Sequence, residues 1–286
     1  MRNGMMIMSA LALVLAGGAI AEPQATQATP ATPAPRVRGP KTQAEVQALT
    51  AMMQATTPDA QIAAAEDFVV KFPQSDFRAL AYLGEAQSYR QKGDLIHLVV
   101  AGEQALESDP DDGTKVEVQV LLAQAIGPKI GEFDLDREEK LAKVEKYANA
   151  ALDALKTMPK PNNPGLSDAQ WDAAKAGLAG AAHSALGVEQ MVRKDYEKAI
   201  AEFKLAVEAT KGSEPAYQVR LANAYDKAKK YDEAVAVCDK VLATPNLHPA
   251  IKRAAENEKA SALKLKGAAA PAAAAPAAAA PAAAKP

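Results

Sequence analysis

Cysteine, histidine and aromatic residues are all scarce in this chain of 286 residues. The single cysteine, Cys238, excludes an intramolecular disulfide, and its apolar neighbours favour a role as a small core residue. The histidines are His97, His183 and His248, which lie far apart, and the sequence has neither a cysteine pair nor an HExxH motif. We therefore predict no transition-metal site.

An excess of charge of either sign is also absent. Lys and Arg number 33 and Asp and Glu number 35, so the net charge is −2. A chain with this balance has no excess of positive charge that would indicate binding to nucleic acid or to an anionic membrane. Acidic residues alternate with lysines, as at Glu197-Lys198 and Glu202-Lys204. Such alternation is typical of a solvated helix face and gives no reason to expect paired catalytic carboxylates.

Sequence motifs for nucleotide, hydrolase and calcium chemistry are missing as well. The chain has no GxxxxGK[ST], GxGxxG or GxSxG segment. The acidic run Asp109–Gly113 departs from EF-hand spacing, because its glycine is fifth instead of sixth and Glu117 is ninth instead of twelfth. We predict a polar turn here, no cofactor and no enzymatic activity. The alternative that stays open is an enzyme or small-molecule site near Trp171.

The N-terminal segment has the layout of a secretory signal peptide. Arg2 supplies a positive charge, Met5–Leu15 is apolar, and Ala19–Ala21 is a small-x-small cleavage site. We predict that residues 1–21 are removed by cleavage after Ala21, and that the mature chain is periplasmic or extracellular without membrane insertion. A retained membrane anchor is the alternative, although the apolar stretch is short for a stable span. Lipid attachment by the bacterial lipoprotein route is excluded because no cysteine lies near this site.

Proline-rich sequence of low complexity flanks a central region. Residues 22–40 contain five prolines and no apolar run, which predicts an extended, disordered linker. Residues 267–286 are alanine runs broken by prolines, which predicts a disordered tail or a semi-rigid spacer. All aromatic residues lie between Phe68 and Tyr231, so the packed domain is expected at residues 41–266.

The central region has a helical pattern throughout, because Ala and Leu dominate its apolar residues. Thr57-Pro58 marks a helix start, as do the capping-box spacing of Ser167 and Gln170 and a weaker capping box at Asp136. We predict helices over residues 41–55, 58–72, 76–91, 95–107, 114–126, 136–157, 168–192, 196–210, 215–229, 231–243 and 248–265.

Within this region the sequence repeats itself with an offset of 35 residues. The segments KDYEKAIAEFKLAVEA and KKYDEAVAVCDKVLAT are two copies, and an earlier copy lies between Tyr82 and Pro110. A period of this length is typical of helical solenoids. The matched pairs are Leu186 and Leu221, Gly187 and Ala222, Tyr196 and Tyr231, Ala199 and Ala234, Phe203 and Cys238, and Ala206 and Val241.

These residues resemble the tetratricopeptide repeat family, whose unit of about 34 residues consists of two antiparallel helices. The resemblance implies an all-α, right-handed superhelical solenoid of antiparallel helix hairpins, with small residues such as Gly187 and Ala222 where helices cross. The last predicted helix has no partner and is expected to be a C-terminal capping helix. Ala86 and Gly187 are 101 positions apart, more than the ~68 of two regular units, so the middle unit is enlarged. Trp171 lies in this enlarged unit, where we expect it to pack.

The same resemblance implies a protein-binding function. In the family the first helix of each unit lines a concave surface that can bind peptides. We predict a non-catalytic scaffold or adaptor in the bacterial cell envelope with a protein or peptide partner. The alternative is a structural spacer or tether that acts through the Ala/Pro tail. The equivalent partner-binding positions in this chain are Leu83, Gln87, Arg90, Gln91, Val219, Asn223, Asp226 and Lys227.

Two finer motifs of the family are present only in part. Phe72-Pro73 followed by Ser75 is similar to envelope-associated tetratricopeptide proteins, including outer-membrane assembly lipoproteins, but the lipobox cysteine is missing. A clamp for a C-terminal carboxylate needs Lys and Asn from successive units. Asn223 matches that pattern, whereas the equivalent position one unit earlier is Val188. The sequence therefore predicts no carboxylate clamp.

Overall fold

A computed structural model of the chain describes residues 38–269. Over these residues it contains eleven α-helices and one short 3-10 helix, with no β-strand. The predicted signal peptide 1–21, nearly all of the predicted linker 22–40 and most of the predicted tail 267–286 lie outside the described residues. The helices are α1 Gln43–Gln54, α2 Pro58–Lys71, α3 Arg78–Lys92, α4 Leu95–Glu107, α5 Asp112–Ile126, α6 Arg137–Thr157, α7 Asp168–Arg193, α8 Tyr196–Ala209, α9 Pro215–Lys227, α10 Tyr231–Leu242 and α11 Pro249–Ala269, and the 3-10 helix Gly127–Lys129 follows α5.

Most helix starts follow the capping signals of the sequence. The Thr57 side chain accepts a backbone N–H of the first turn of α2. At the start of α7, Ser167 and Gln170 form both hydrogen bonds of a capping box. The capping box predicted at Asp136 is wrong, because Asp136 makes no side-chain bond to the backbone of α6 and instead pairs with Lys140 at 2.9 Å.

Consecutive helices are joined by short connections and pack against each other as hairpins, from α1–α2 to α9–α10. The hairpins also stack, because α5 contacts both α3 and α7, and α9 contacts α11. Contacts between odd-numbered helices thus run along one side of the stack, at α3–α5–α7 and at α9–α11. This arrangement confirms the predicted all-α solenoid of helix hairpins.

The last helix, α11, covers the end of the stack. It packs against both helices of the final hairpin, α9 and α10, and buries Ala255 and Ala262 completely. Lys252, Arg253 and Glu256 point to solvent from its other side. The predicted capping helix is confirmed, and it extends to Ala269, past the predicted start of the tail.

The largest part of the core joins α3 to α7. Leu122 of α5, Leu141 of α6 and Val144 of α6 are completely buried there. The enlarged middle unit contains no additional hairpin. Its extra length lies in the long helices α6 and α7, of 21 and 26 residues, and in the connections 127–136 and 158–167 that precede them. Trp171 packs half-buried against this core, with Lys175 Nζ 5.6 Å from the centroid of its ring.

A candidate peptide-binding groove

A groove of about 490 Å³ opens between α7, α9 and α11, with Phe203 of α8 also in its lining. Pockets that bind small ligands and side chains typically have volumes of roughly 300–1,000 Å³. We call this cavity the repeat groove. Most of its lining is apolar, and the polar groups come from α9 and α11. The lining residues are Val188, Met191, Phe203, Val219, Arg220, Asn223, Ala254, Asn257 and Glu258.

The sequence repeat explains why these residues meet. Val188 of α7, Asn223 of α9 and Glu258 of α11 follow one another at intervals of 35 residues, and so do Val219 and Ala254. Three successive helices thus present the same face of the repeat to one cavity. By this register, α11 occupies the place of the first helix of a further, incomplete unit.

One end of the repeat groove is closed by contacts between α7 and α9. Arg220 Nη1 of α9 donates a hydrogen bond to Ser184 Oγ of α7 at 2.7 Å. Nearby, the Tyr217 ring approaches Gly180 so closely that a Cβ atom there would lie 3.2 Å from it. The side chains that line the groove from α7, Val188 and Met191, follow in the next turns. These contacts between α7 and α9 therefore mark one end of the groove.

The other end of the groove is polar and is held together by α11. Asn223 Nδ2 donates to both carboxylate oxygens of Glu258, at 3.1 and 3.2 Å. Ser261 Oγ donates to Asp226 Oδ2 at 3.1 Å. Burial raises the pKa of the Glu258 carboxyl, the hydrogen bond from Asn223 opposes that rise, and the negative charge of Asp226 adds to it. Glu258 thus lines this end of the groove, and the charge of the buried Asp226 acts on it from behind.

The positions that the family resemblance predicts to bind a partner lie in different environments: some line the groove, some are buried, and some lie outside the groove. Val219 and Asn223 line the repeat groove, and Lys227 is exposed next to it. Asp226 lies under α11 and is only 4 % exposed. Leu83 is equally buried, in the core between α3 and its neighbours. The remaining three, Gln87, Arg90 and Gln91, lie on α3 outside the groove, where Gln87 is half-buried and the other two are exposed.

Sequence reasoning did not predict several groove residues. Arg220 directly follows Val219, which was predicted to line the surface. Spacing alone does not show that Arg220 also points into the groove, because this depends on side-chain direction as well. Glu258 could have been found by extending the 35-residue offset from Asn223 into the last helix. The 35-residue offset pairs Phe203 with Cys238 but does not indicate that it lines a groove, and Met191 carries no signal beyond its apolar character.

A second depression, of about 510 Å³, is lined by charged groups of α6, α7 and α8. Its principal cations already have partners: Arg193 pairs with Glu189 and Glu138, and Lys198 Nζ lies 2.8 Å from Asp195. The depression therefore offers little unpaired charge to a ligand. Its lining residues are Arg137, Glu145, Gln190, Arg193, Asp195 and Lys198.

The chemical possibilities of the repeat groove follow from its side chains. Its lining includes no Ser, Cys or His, and its one carboxyl group, Glu258, is hydrogen-bonded to Asn223. Among residues 38–269 there is no cluster of three or more metal-binding side chains, and none of the helices there has the length and apolarity of a membrane span. What the groove offers is an apolar floor with charged and amide groups at its rim.

Comparison with known proteins identifies the repeat. The family description of the tetratricopeptide repeat matches residues 215–244, which comprise α9, α10 and the start of the following turn. A solved structure of a thermophilic TPR protein from Thermus thermophilus is similar at 19% identity and a TM-score of 0.45, over 76% of this chain and 95% of that one. No curated protein sequence matches the chain. Residues 215–244 thus form a tetratricopeptide repeat within an all-helical solenoid.

Proposed function

We propose that this chain is a non-catalytic interaction scaffold that binds a peptide segment of a partner protein in the repeat groove. The observation that carries the proposal is the open cavity of about 490 Å³ between three equivalent helices of the repeat. An apolar cavity with a few polar groups at its rim suits the side chains of a bound peptide. The tetratricopeptide match supports the assignment, because α9, the central helix of the groove, lies inside the matched residues.

Binding to peptides from a displayed library tests this proposal. Val219→Asp would place a charge on the apolar lining of the groove, and binding would leave that charge desolvated and unpaired. We expect the selected peptides to bind this variant at least about tenfold more weakly than the unmodified protein, as measured by fluorescence anisotropy. The matched control is Val70→Asp, the same substitution at a side chain of α2 that is 79 % exposed and lies outside the groove.

The two variants separate the outcomes. Loss of affinity in Val219→Asp with full affinity in Val70→Asp supports peptide binding in the groove. Equal affinity for both variants moves the binding site elsewhere on the surface. Failure to select any peptide contradicts the scaffold function itself.

We also propose that the protein is exported and acts in the cell envelope. This part of the proposal is supported by the sequence pattern Arg2, Met5–Leu15 and Ala19–Ala21, which is that of a secretory signal. Cell fractionation followed by N-terminal sequencing tests it. A mature chain that begins at Glu22 in the envelope or extracellular fraction is expected, whereas a chain that keeps its N-terminus and sediments with membranes favours the anchor.

A further inference from the structure

One end of the repeat groove carries a positive charge that is available to a ligand. Arg220 lines the groove with part of its side chain exposed, and partial burial lowers the pKa of its guanidinium. Its hydrogen bond goes to the neutral hydroxyl of Ser184, and no carboxylate of the described residues neutralises it. A guanidinium has five N–H donors, so several are left for an incoming carboxylate. Ser184 therefore orients the guanidinium without removing its charge.

The other end carries negative charge that the protein does not fully satisfy. Glu258 lines the groove and accepts only from Asn223 among the described residues. Asp226 behind it uses Oδ2 to accept from Ser261, while its buried Oδ1 has no hydrogen-bond partner in the described part of the chain. The charge of Lys227 acts on Glu258, but Lys227 is exposed and offsets this negative charge only in part.

The two charged ends lie on neighbouring turns of one helix face. Arg220 and Asn223 are three positions apart on α9 and both line the groove, and Asn223 holds Glu258 of α11. Between the charged ends the lining comes from Val188 and Met191 of α7 and from Val219 of α9.

Building on the proposed peptide-binding function, we propose that the repeat groove selects peptides that carry both charges around an apolar centre. An acidic side chain of the peptide binds Arg220, a basic side chain binds Glu258, and the apolar side chains between them fill the groove. The buried charge of Asp226 acts on Glu258 from behind. A peptide with two acidic groups would bring one of them against Glu258, and a peptide with two basic groups would bring one against Arg220. Both are disfavoured by like-charge repulsion.

Four short peptides with blocked ends test this selectivity. They share Gly/Ser flanks and two central leucines, and differ only in the outer pair: Glu and Lys, two Glu, two Lys, or two Gln. We expect the Glu/Lys peptide to bind about tenfold more tightly than each of the others in fluorescence anisotropy. The difference should shrink as salt is raised, because screening weakens exposed charge pairs.

The variant Arg220→Glu makes the test specific to the groove. It converts the positive end into a negative one, so the peptide with two Lys should become the preferred ligand. The matched control is Arg90→Glu, the same substitution at an exposed arginine of α3, which should keep the original order of affinities.

The results distinguish the selectivity from the underlying function. Equal binding of all four peptides overturns the charge selectivity while leaving peptide binding intact. An unchanged preference in Arg220→Glu overturns the assignment of the positive end. If none of the four peptides binds, the charge selectivity is contradicted. The proposed peptide-binding function is then tested only by the selection from the displayed library.

Discussion

Gly187 of α7 lies directly against the ring of Phe203 of α8. A Cβ atom at position 187 would be 2.5 Å from Phe203 Cε1 and 2.6 Å from Cδ1, well inside van der Waals contact. Phe203 is only 1 % exposed and forms part of the floor of the repeat groove. One repeat later the same two positions are Ala222 and Cys238, both completely buried. At these equivalent positions, one unit pairs a glycine with a large residue, whereas the next unit pairs two small residues.

The contact predicts that Gly187→Ala destabilises the protein. Alanine favours a helix over glycine by about 0.5–1 kcal/mol, but overpacking of a core costs about 1–3 kcal/mol because the Phe203 ring must move. We expect a net loss of about 1–2 kcal/mol in the free energy of unfolding, measured by urea denaturation. Since Phe203 lines the groove, peptide affinity should fall as well.

Gly84→Ala is the control for this prediction. Gly84 also lies inside a helix, α3, but a Cβ atom there would be 3.5 Å from the nearest neighbouring atom, Gln61 Nε2, which is an ordinary contact. The helix propensity of alanine should therefore dominate and raise the free energy of unfolding by about 0.5–1 kcal/mol. If both substitutions stabilise the protein, the core has room at Gly187 that the structure does not show.

The helices were predictable because their signals are local. Caps such as Thr57 and Ser167, and the left-handed glycine Gly93 at the end of α3, mark helix ends within one turn of sequence. The 35-residue offset then predicts which helices are equivalent, and hence the hairpin solenoid. Asp136 was predicted wrongly because its carboxylate has a competing partner, Lys140, that a capping pattern does not take into account.

The groove was only partly predictable because it depends on which residues neighbouring helices cover. The family pattern identifies Val219 and Asn223 correctly as lining positions. It also identifies Asp226, which α11 buries, and Leu83, which the core buries. Whether a position on a helix face is open depends on the packing of the next helix, and spacing within one helix carries no information about that packing. Peptide binding at any of these positions stays a prediction.

A buried ion pair in α7 predicts a large effect of Arg193→Ala. The side chain of Glu189 is completely buried and pairs with Arg193 Nε. Burial raises the pKa of Glu189, which the arginine opposes. Removing the arginine leaves a buried carboxylate without its cation, which costs about 3–5 kcal/mol. We expect a loss of about 3 kcal/mol in urea denaturation at pH 7.

Two further variants test the cause of that loss. Lys198→Ala removes an exposed cation that pairs with Asp195 at the start of α8, and exposed pairs contribute only about 0–1 kcal/mol. The double variant Glu189→Gln/Arg193→Ala removes the buried charge together with its partner and should recover much of the lost stability. A double variant as unstable as Arg193→Ala would show that packing of the arginine, and not its charge, is responsible.

The loop before α6 displays two apolar side chains whose removal should leave stability unchanged. Phe133 is 91 % exposed and Leu135 is fully exposed. The carboxylate of Asp134 between them accepts the Gly131 N–H at 3.0 Å and pairs with Lys140 at 2.8 Å. We expect Phe133→Ser and Leu135→Ser to change the unfolding free energy by less than about 0.5 kcal/mol, whereas Asp134→Ala should lower it by more than either of them. The reverse order in urea denaturation would mean that the apolar pair packs in solution.

A buried carboxyl group on α3 predicts that stability depends on pH. Glu85 is 8 % exposed; burial raises its pKa from 4.5 to about 7, Glu66 adds to the shift and His97 opposes it. The folded state therefore binds the proton more tightly than the unfolded state, so the protonated form contributes most stability below pH 4.5. That contribution is lost as pH rises from 4.5 to 7, and at higher pH the charged group destabilises the fold by at most about 3 kcal/mol.

Glu85→Gln should be more stable than the unmodified protein at pH 8 and of similar stability at pH 4.5, and Glu66→Gln should show a smaller gain of the same sign. Identical pH profiles of unfolding free energy for Glu85→Gln and the unmodified protein would mean that Glu85 ionises in the folded state as it does in the unfolded chain.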